Sequence, residues 1–132
     1  MTSKIIYLGS LRTEAEHLNS GKKVLTDAPI DNQGKGEAYS PTDLVATALG
    51  SCMLTIMGIR ARDHNIDIDG TEISIEKIMG SNPRRIETVV VSINMPDHKY
   101  SDSDKDLLEK AARDCPVCKS LRPGIAKLNF DW

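Results

Sequence analysis

The hydrophobic pattern of the chain is dominated by one long apolar segment near its middle. From Pro41 to about Asn65, apolar residues recur at three- and four-residue spacing, which predicts a helix of about 25 residues. Ser40 suits the N-cap of this helix, Pro41 its first position, and Asp43 its positively polarised first turn. The predicted apolar face comprises Leu44, Val45, Ala48, Leu49, Cys52, Ile56 and Ile59.

Small and polar residues interrupt this apolar segment, so we expect a buried helix rather than a membrane span. Residues 44–59 are fewer than the about 20 that cross a bilayer, and the charged sequence RARD follows them. A strip of small residues on another side of the helix would allow a second backbone to approach closely. Its members are Thr47, Ser51, Thr55 and Gly58.

Shorter segments on either side of the helix alternate between apolar and polar residues and predict strands. Residues 11–18 and 22–27 flank the turn-forming sequence NSGK and predict a hairpin, preceded by a strand-like segment at residues 4–8. After the helix, residues 71–80 and 85–95 predict two strands joined around SNPRR.

The C-terminal part of the chain predicts two further helices and a last strand. Residues 105–114 form the second helix, with Ser103 as its expected N-cap, and Pro116 begins a short third helix with Cys115 at its N-cap. Residues 125–132 predict the strand. This order of elements predicts an α+β two-layer fold in a single domain covering residues 1–132.

Composition and charge narrow the function classes. With 39% apolar and 27% charged residues, the chain is typical of a globular protein. Its net charge of −2, without a basic stripe, argues against a nucleic-acid partner. The sequence MTSKIIYLGS lacks the features of a secretory signal. Three cysteines without an export signal favour a cytoplasmic location, where cysteine chemistry is more common than structural disulfides.

The three cysteines are the candidate reactive residues. Cys52 lies on the apolar face of the long helix, where a cysteine often serves as a small core residue. Cys115 is different, because an N-cap position directs backbone N–H groups at the sulfur and favours the thiolate. Cys115 and Cys118 also have the CPVC spacing of dithiol–disulfide enzymes. These residues alone leave the role of Cys52 open.

The sequence SPTDLVATALGSC, followed by two strand-like segments and an acidic helix ending in CPV, resembles the OsmC/Ohr family of osmotically inducible and organic hydroperoxide resistance proteins. The resemblance extends over nearly the whole chain. It implies the OsmC-like fold, in which an antiparallel sheet packs on the long central helix, and an intertwined homodimer with the active sites at the interface.

The resemblance also implies a thiol-dependent peroxidase. Cys52 would attack an organic hydroperoxide, giving an alcohol and a sulfenic acid on Cys52. Cys115 would then form a Cys52–Cys115 disulfide, which an external, lipoyl-type dithiol would reduce. No bound cofactor and no metal are expected. The expected partners are the hydroperoxide, the dithiol reductant and a second copy of the chain, with neither nucleic acid nor membrane.

The family resemblance further implies an arginine that activates the peroxidatic cysteine and an acidic residue that orients this arginine. Arg12 is the best candidate for the arginine, and Asp43 for the acid. Some relatives carry glutamate one position earlier, where this chain has Thr42. Glu37 is a second possible partner of Arg12. Cys118 lies outside the recognised pattern and is either a small packing residue or a source of an alternative disulfide.

Two other functions remain open at this point. One is a glutaredoxin-like disulfide oxidoreductase that uses Cys115 and Cys118. The other is a non-catalytic OsmC-like protein that binds a hydrophobic small molecule and uses its cysteines for packing. Mapping of the disulfides in the oxidised protein separates the oxidoreductase from the peroxidase, and a lack of peroxide-dependent thiol loss identifies the binding protein.

Overall fold

The computed structural model describes residues 1–132, whose contacts divide into two units, Met1–Val45 and Ala46–Trp132. The chain has mixed helices and strands, which confirms the predicted α+β class. In chain order the elements are β1 (Ser3–Gly9), β2 (Arg12–His17), β3 (Lys23–Asp27), a 3-10 turn (Ile30–Asn32), α1 (Pro41–Asp63), β4 (Glu72–Gly80), β5 (Arg85–Asn94), α2 (Asp102–Arg113), α3 (Pro116–Ser120) and β6 (Ala126–Asp131).

The first unit contains a three-stranded antiparallel sheet in the order β1-β2-β3. The predicted hairpin is confirmed as β2 and β3. Its turn is closed by His17, whose N–H donates to the carbonyl of Lys22 and whose carbonyl accepts from the N–H of Gly21. The resulting register places Glu16 opposite Lys23 and Arg12 opposite Asp27.

Apolar side chains are exposed on both faces of strand β1. Because side chains alternate along a strand, Ile5 and Tyr7 point to one face, and Ile6 and Leu8 point to the other. All four side chains are at least half exposed. A strand that exposes large apolar groups on both faces is unusual for an isolated sheet.

The second unit contains a sheet in the order β4-β5-β6. Strands β4 and β5 are antiparallel, as predicted, whereas β5 and β6 are parallel, in register from Val89 opposite Ala126 to Asn94 opposite Asp131. The parallel pairing follows from the connection: α2 and α3 lie between the two strands and provide the long crossover that parallel neighbours require.

Helix α1 begins where the sequence predicts. The Ser40 hydroxyl accepts a hydrogen bond of 3.0 Å from the N–H of Asp43, and the Asp43 carboxylate accepts one of 3.0 Å from the N–H of Ser40. These reciprocal bonds form a capping box, which satisfies two backbone donors at the helix start. Ser40 is therefore confirmed as the N-cap.

The buried face of α1 differs from the predicted one. The buried residues are Ala46, Leu49, Gly50, Met53, Met57 and Ala61. Of the predicted face, Val45, Ala48 and Ile59 are exposed. The predicted face was wrong because α1 carries apolar residues on almost all of its sides, so that their spacing alone does not indicate which side is buried.

Gly50 shows why this side of α1 faces the sheet. A Cβ atom at Gly50 would lie 2.8 Å from Cδ1 of Ile75 and 3.1 Å from Cγ2 of Ile73, both on β4. The missing side chain therefore permits close contact between helix and strand. Although α1 is long and apolar enough to cross a bilayer, its buried residues belong to the core of the second unit, and we interpret it as a core helix.

Helix α2 begins at Asp102, three residues before the predicted start, and its N-cap lies two residues before the predicted one. Ser101, not Ser103, is its N-cap: the Ser101 hydroxyl accepts from the N–H of Asp104, and the Asp104 carboxylate accepts from the N–H of Ser101. Both serines have an aspartate three positions later, Asp104 and Asp106, so that the sequence spacing allows either capping box, and the structure forms the one at Ser101. The buried residues of α2 are Leu108, Ala111 and Ala112.

Candidate active site

Two cysteines that are distant in sequence meet inside the second unit. Cys52 is the middle residue of α1, and Cys115 precedes α3 as its N-cap. The thiols of Cys52 and Cys115 lie within hydrogen-bonding reach of each other. We call these two residues the sulfur centre.

The core of the second unit positions the sulfur centre. Cys115 is completely buried in the same apolar cluster as Leu49, Met53 and Leu108, and Cys52 packs against this cluster while staying partly exposed. The packing of α1 and α2 on the sheet therefore determines where both sulfurs lie. Cys52 is the member of the pair that a molecule in solution can approach.

Burial raises the pKa of the Cys115 thiol to about 11. The N–H of Cys118 donates to Cys115 Sγ at 3.2 Å and opposes this rise, whereas the hydrogen bond with Cys52 adds to it. The prediction that Cys115 is an N-cap is confirmed, but the expected lowering of its pKa is wrong, because loss of water around the sulfur outweighs one backbone donor. Cys115 is therefore held as a protonated thiol at neutral pH.

Arg12 lies in the first unit, where two carboxylates fix its guanidinium group. Its Nε and Nη2 donate to the two oxygens of Asp27 at 2.7 and 2.9 Å, and Nη2 also donates to Glu37 at 2.9 Å. The N–H of Glu37 donates to Asp27 at 3.1 Å. We call Arg12, Asp27 and Glu37 the arginine cluster.

Asp27 is the anchor of the arginine cluster. Its side chain is fully buried, and the hydrogen bond from Arg12 lowers the pKa of its carboxyl group, against the effect of burial. In return, the hydrogen bonds that Arg12 donates to Asp27 and Glu37 raise its own pKa, so that its charge is permanent. A bidentate pair of this kind also fixes the plane of the guanidinium group.

The two predicted acidic residues, Glu37 and Asp43, have different partners in the structure. Glu37 lies beside Arg12, whereas the carboxylate of Asp43 caps α1 through the N–H of Ser40. Sequence reasoning missed Asp27. The register of the predicted hairpin could have indicated Asp27, because Arg12 and Asp27 are cross-strand partners on β2 and β3.

The chemistry available to these residues is that of thiols and a fixed cation. No group of three or more histidine, cysteine, aspartate or glutamate side chains is arranged to hold a metal ion. The second unit supplies two sulfurs that can be joined by a bond, one partly exposed and one protonated and buried. The first unit supplies an arginine whose position and charge are fixed.

Comparison with known proteins identifies the family. The family model described as OsmC-like protein matches residues 34–127, which is more than half of the chain. No curated protein sequence matches the chain. A solved structure from Psychrobacter arcticus 273-4, provisionally described as an osmotic stress induced and detoxification response protein, is 48% identical, with a TM-score of 0.94 over 99% of this chain and 96% of that one.

More distant solved structures have the same fold. An OsmC-like protein of unknown function from Vibrio cholerae has a TM-score of 0.81 at 13% identity, covering 98% of this chain and 97% of its own. An organic hydroperoxide resistance protein OsmC from Legionella pneumophila has a TM-score of 0.71 at 18% identity, covering 98% and 95%. With the family model and the 48% identical structure, the comparisons show that this chain belongs to the OsmC-like protein family.

Proposed function

We propose that this protein is a thiol-dependent peroxidase that reduces organic hydroperoxides to alcohols, using Cys52 as the peroxidatic and Cys115 as the resolving cysteine. The observation that supports the proposal best is the meeting of Cys52 and Cys115, 63 positions apart in sequence, within hydrogen-bonding reach. Membership of a family whose solved structures include organic hydroperoxide resistance proteins supports a redox or stress role and this class of substrate.

The unequal environments of the two cysteines suggest their roles. Cys52 is partly exposed, so the Cys52 thiolate can attack the distal oxygen of the hydroperoxide. The O–O bond breaks, the alkoxide takes a proton and leaves as the alcohol, and Cys52 becomes a sulfenic acid. Before this step the protonated Cys115 can donate its S–H to the Cys52 sulfur, which stabilises the attacking thiolate.

Cys115 then completes the reaction. Its sulfur attacks the Cys52 sulfenic acid, the S–O bond breaks, and water leaves as the Cys52–Cys115 disulfide forms. Cys115 already lies within hydrogen-bonding reach of Cys52, so that the sulfenic acid meets this thiol before a thiol from solution. An external dithiol of lipoyl type would reduce the disulfide and regenerate both thiols.

Arg12 is our proposed activating cation. Its guanidinium group is held by Asp27 and Glu37, so that its charge does not vary with pH near neutrality. A fixed cation favours the thiolate over the thiol of a nearby cysteine. The role proposed for Asp43 is indirect: through the capping box with Ser40 it fixes the start of the helix that carries Cys52.

We also propose that the protein acts as a homodimer in the cytoplasm. The exposed apolar side chains on both faces of β1 support an interface, because water-exposed groups such as Ile5 and Tyr7 gain stability when a partner covers them. The expected species in size-exclusion chromatography has a mass of about 29 kDa, twice the 14.5 kDa of one chain. Elution as a monomer at all concentrations would contradict this proposal.

Disulfide mapping after one equivalent of cumene hydroperoxide tests the function. The expected result is loss of two thiols per chain, release of one equivalent of cumyl alcohol, and a peptide pair joined through Cys52 and Cys115 at the earliest times. Loss of thiols without a bond to Cys52, or a Cys115–Cys118 bond that also forms in Cys52→Ser, would favour a disulfide oxidoreductase. Unchanged thiols would favour a binding protein.

A further inference from the structure

An open cavity of about 220 Å³ lies beside the third cysteine of the second unit. Cys118, Arg113 and Arg122 line it together with an apolar wall that includes Ile125 and Leu128. The proposed peroxidase chemistry uses none of these residues. A thiol, two guanidinium groups and an apolar surface around one opening form a site that nothing described so far explains.

Cys118 differs from Cys115 in access. Cys115 is fully buried, whereas Cys118 is partly exposed and lines the cavity. The two residues are three positions apart, and the N–H of Cys118 lies 3.2 Å from Cys115 Sγ, so that α3 holds both cysteines side by side. The pair therefore connects the buried sulfur centre with the cavity.

The arginines suggest which molecules the cavity accepts. Arg122 donates a hydrogen bond to the carbonyl of Glu87, which holds its side chain at the cavity, and Arg113 lies exposed in the last turn of α2. Guanidinium groups bind carboxylates strongly and often with two hydrogen bonds. An apolar wall beside them suits a short hydrocarbon chain that ends in a carboxylate.

From this arrangement we propose that Cys118 is a further catalytic residue, which accepts an anionic dithiol bound at Arg113 and Arg122 and transfers its reducing equivalents to the Cys52–Cys115 disulfide. The inference rests on the proposed peroxidase function, because it requires that disulfide. It assigns the cavity as the reductant site and limits the reductant class to dithiols that carry a carboxylate.

The transfer consists of two balanced exchange steps. The Cys118 thiolate attacks Cys115 Sγ, the Cys115–Cys118 bond forms, the Cys52–Cys115 bond breaks, and Cys52 leaves as a thiolate. One thiol of the reductant then attacks Cys118 Sγ and releases Cys115, which takes a proton. The second reductant thiol attacks the reductant sulfur of this mixed disulfide, and Cys118 leaves and takes a proton, so that the reductant departs as an internal disulfide and all three cysteines are reduced.

The first experiment locates the site of attack by the reductant. The full-length protein is oxidised with one equivalent of cumene hydroperoxide and treated briefly with 2-mercaptoethanesulfonate, an anionic monothiol that cannot complete the second step. After acid quenching, peptide mapping is expected to find the mixed disulfide on Cys118. A mixed disulfide on Cys52, with Cys118 still a free thiol, would overturn the proposal.

The second experiment measures steady-state turnover with two dithiols. For Cys118→Ser, turnover with dihydrolipoate is expected to fall roughly tenfold or more, with the Cys52–Cys115 disulfide accumulating. For Arg113→Met and Arg122→Met, the ratio of kcat/KM for dihydrolipoate to that for uncharged dithiothreitol should fall about tenfold, the effect of one charge-assisted contact. Lys119→Met is the matched control, since Lys119 is a cation on α3 outside the cavity.

The outcomes separate the two proposals. If Cys118→Ser turns over at the wild-type rate and the dithiol ratio is the same in all variants, the reductant proposal is wrong, while a Cys52–Cys115 disulfide still supports the peroxidase. If the oxidised wild-type protein never contains a bond to Cys52, the peroxidase proposal itself fails, whichever variant is measured.

Discussion

The arginine cluster of the first unit joins residues that face each other across a hairpin, whereas the sulfur centre of the second unit joins residues 63 positions apart. In the cluster, Arg12 and Asp27 occupy paired positions on neighbouring strands. In the centre, Cys52 and Cys115 come together only because two helices pack on one core. Local pairing thus fixes the position of a charged group, and long-range packing brings two thiols together.

The two sites also differ in the ionisation of their buried residue, Asp27 in one and Cys115 in the other. At the arginine cluster, hydrogen bonds lower the pKa of Asp27 and keep its carboxylate charged although it is buried. At the sulfur centre, burial raises the pKa of Cys115 and keeps it neutral. The comparison teaches that burial alone does not decide ionisation: a well-placed charged partner reverses its effect, and one backbone N–H does not.

The largest expected effect is that of Cys52→Ser, which breaks the sulfur centre. We expect peroxidase turnover with cumene hydroperoxide to fall roughly 10³-fold or more, equivalent to about 4 kcal/mol of activation free energy. The reason is that a serine hydroxyl cannot replace the thiolate as nucleophile at neutral pH. Cys118→Ser is the control for loss of a thiol. Its alcohol release is compared with that of Cys52→Ser in a single turnover without reductant, in which Cys118 has no proposed role. An unchanged rate of alcohol release by Cys52→Ser would refute the mechanism.

Replacement of Arg12 breaks the other site. For Arg12→Met we expect kcat/KM for cumene hydroperoxide to fall about 10- to 100-fold, because Cys52 loses its proposed activating cation. The rate of alkylation of Cys52 at pH 7 should fall in parallel. Lys23→Met is the control, since Lys23 is a cation of the same sheet, paired with Glu14 at 3.0 Å. Equal effects of both substitutions would argue against a specific role for Arg12.

Two glycines of α1 test the packing that positions the sulfur centre. Gly58→Ala should raise the free energy of unfolding by up to about 1 kcal/mol, because a Cβ there meets no atom within 4 Å and alanine is the better helix former. Gly50→Ala should be less stable than Gly58→Ala by about 1–3 kcal/mol, because its Cβ would overlap with Ile75. Denaturant unfolding measures both, and equal values would mean that α1 and β4 are not in close contact.

The sulfur centre should make the protein sensitive to alkali. The pKa of Cys115 is raised by folding from 9.0 to about 11, so its contribution to stability is complete below pH 9 and is lost as pH rises towards 11. We expect the difference in unfolding free energy between the wild type and Cys115→Ala to shrink by roughly 1–2 kcal/mol over this range. A difference that stays constant up to pH 11 would show that Cys115 ionises normally.

The arginine cluster should give a smaller effect at the acidic end. The pKa of Asp27 is lowered by folding, so its contribution is present above its ordinary value of 3.8 and is lost as pH falls through the lower folded value. The advantage of the wild type over Asp27→Asn in unfolding free energy should therefore decrease below pH 4.

The sequence predicts best what depends on neighbouring residues. Ser40 as a cap and the β2–β3 hairpin follow from short motifs, and both are confirmed. The hairpin register also contained the pairing of Arg12 with Asp27, since a turn after His17 places these residues opposite each other. Asp27 was missed because the strands were assigned without their register.

The sequence predicts less well what depends on packing between distant segments. The apolar residues of α1 do not reveal that Met53 and Met57, rather than Ala48 and Ile59, are buried, because that choice is made by the sheet. The ionisation of Cys115 was predicted wrongly for the same reason: its N-cap is visible in the sequence, whereas the apolar cluster around it is assembled by tertiary contacts. The family resemblance, not the local pattern, indicated that Cys52 and Cys115 belong together.

The parallel pairing of β5 with β6 bears on how the Cys115 thiol becomes buried during folding. These two adjacent strands are separated in sequence by two helices, so that their pairing joins segments distant along the chain, a kind of contact that forms slowly in folding. Cys115 lies within that connection, in the apolar cluster that also contains Leu49, Val91 and Leu108. A chain in which these distant segments have not yet packed would leave this thiol open to oxidants, so that its protection depends on the folded core and not on its neighbours in sequence.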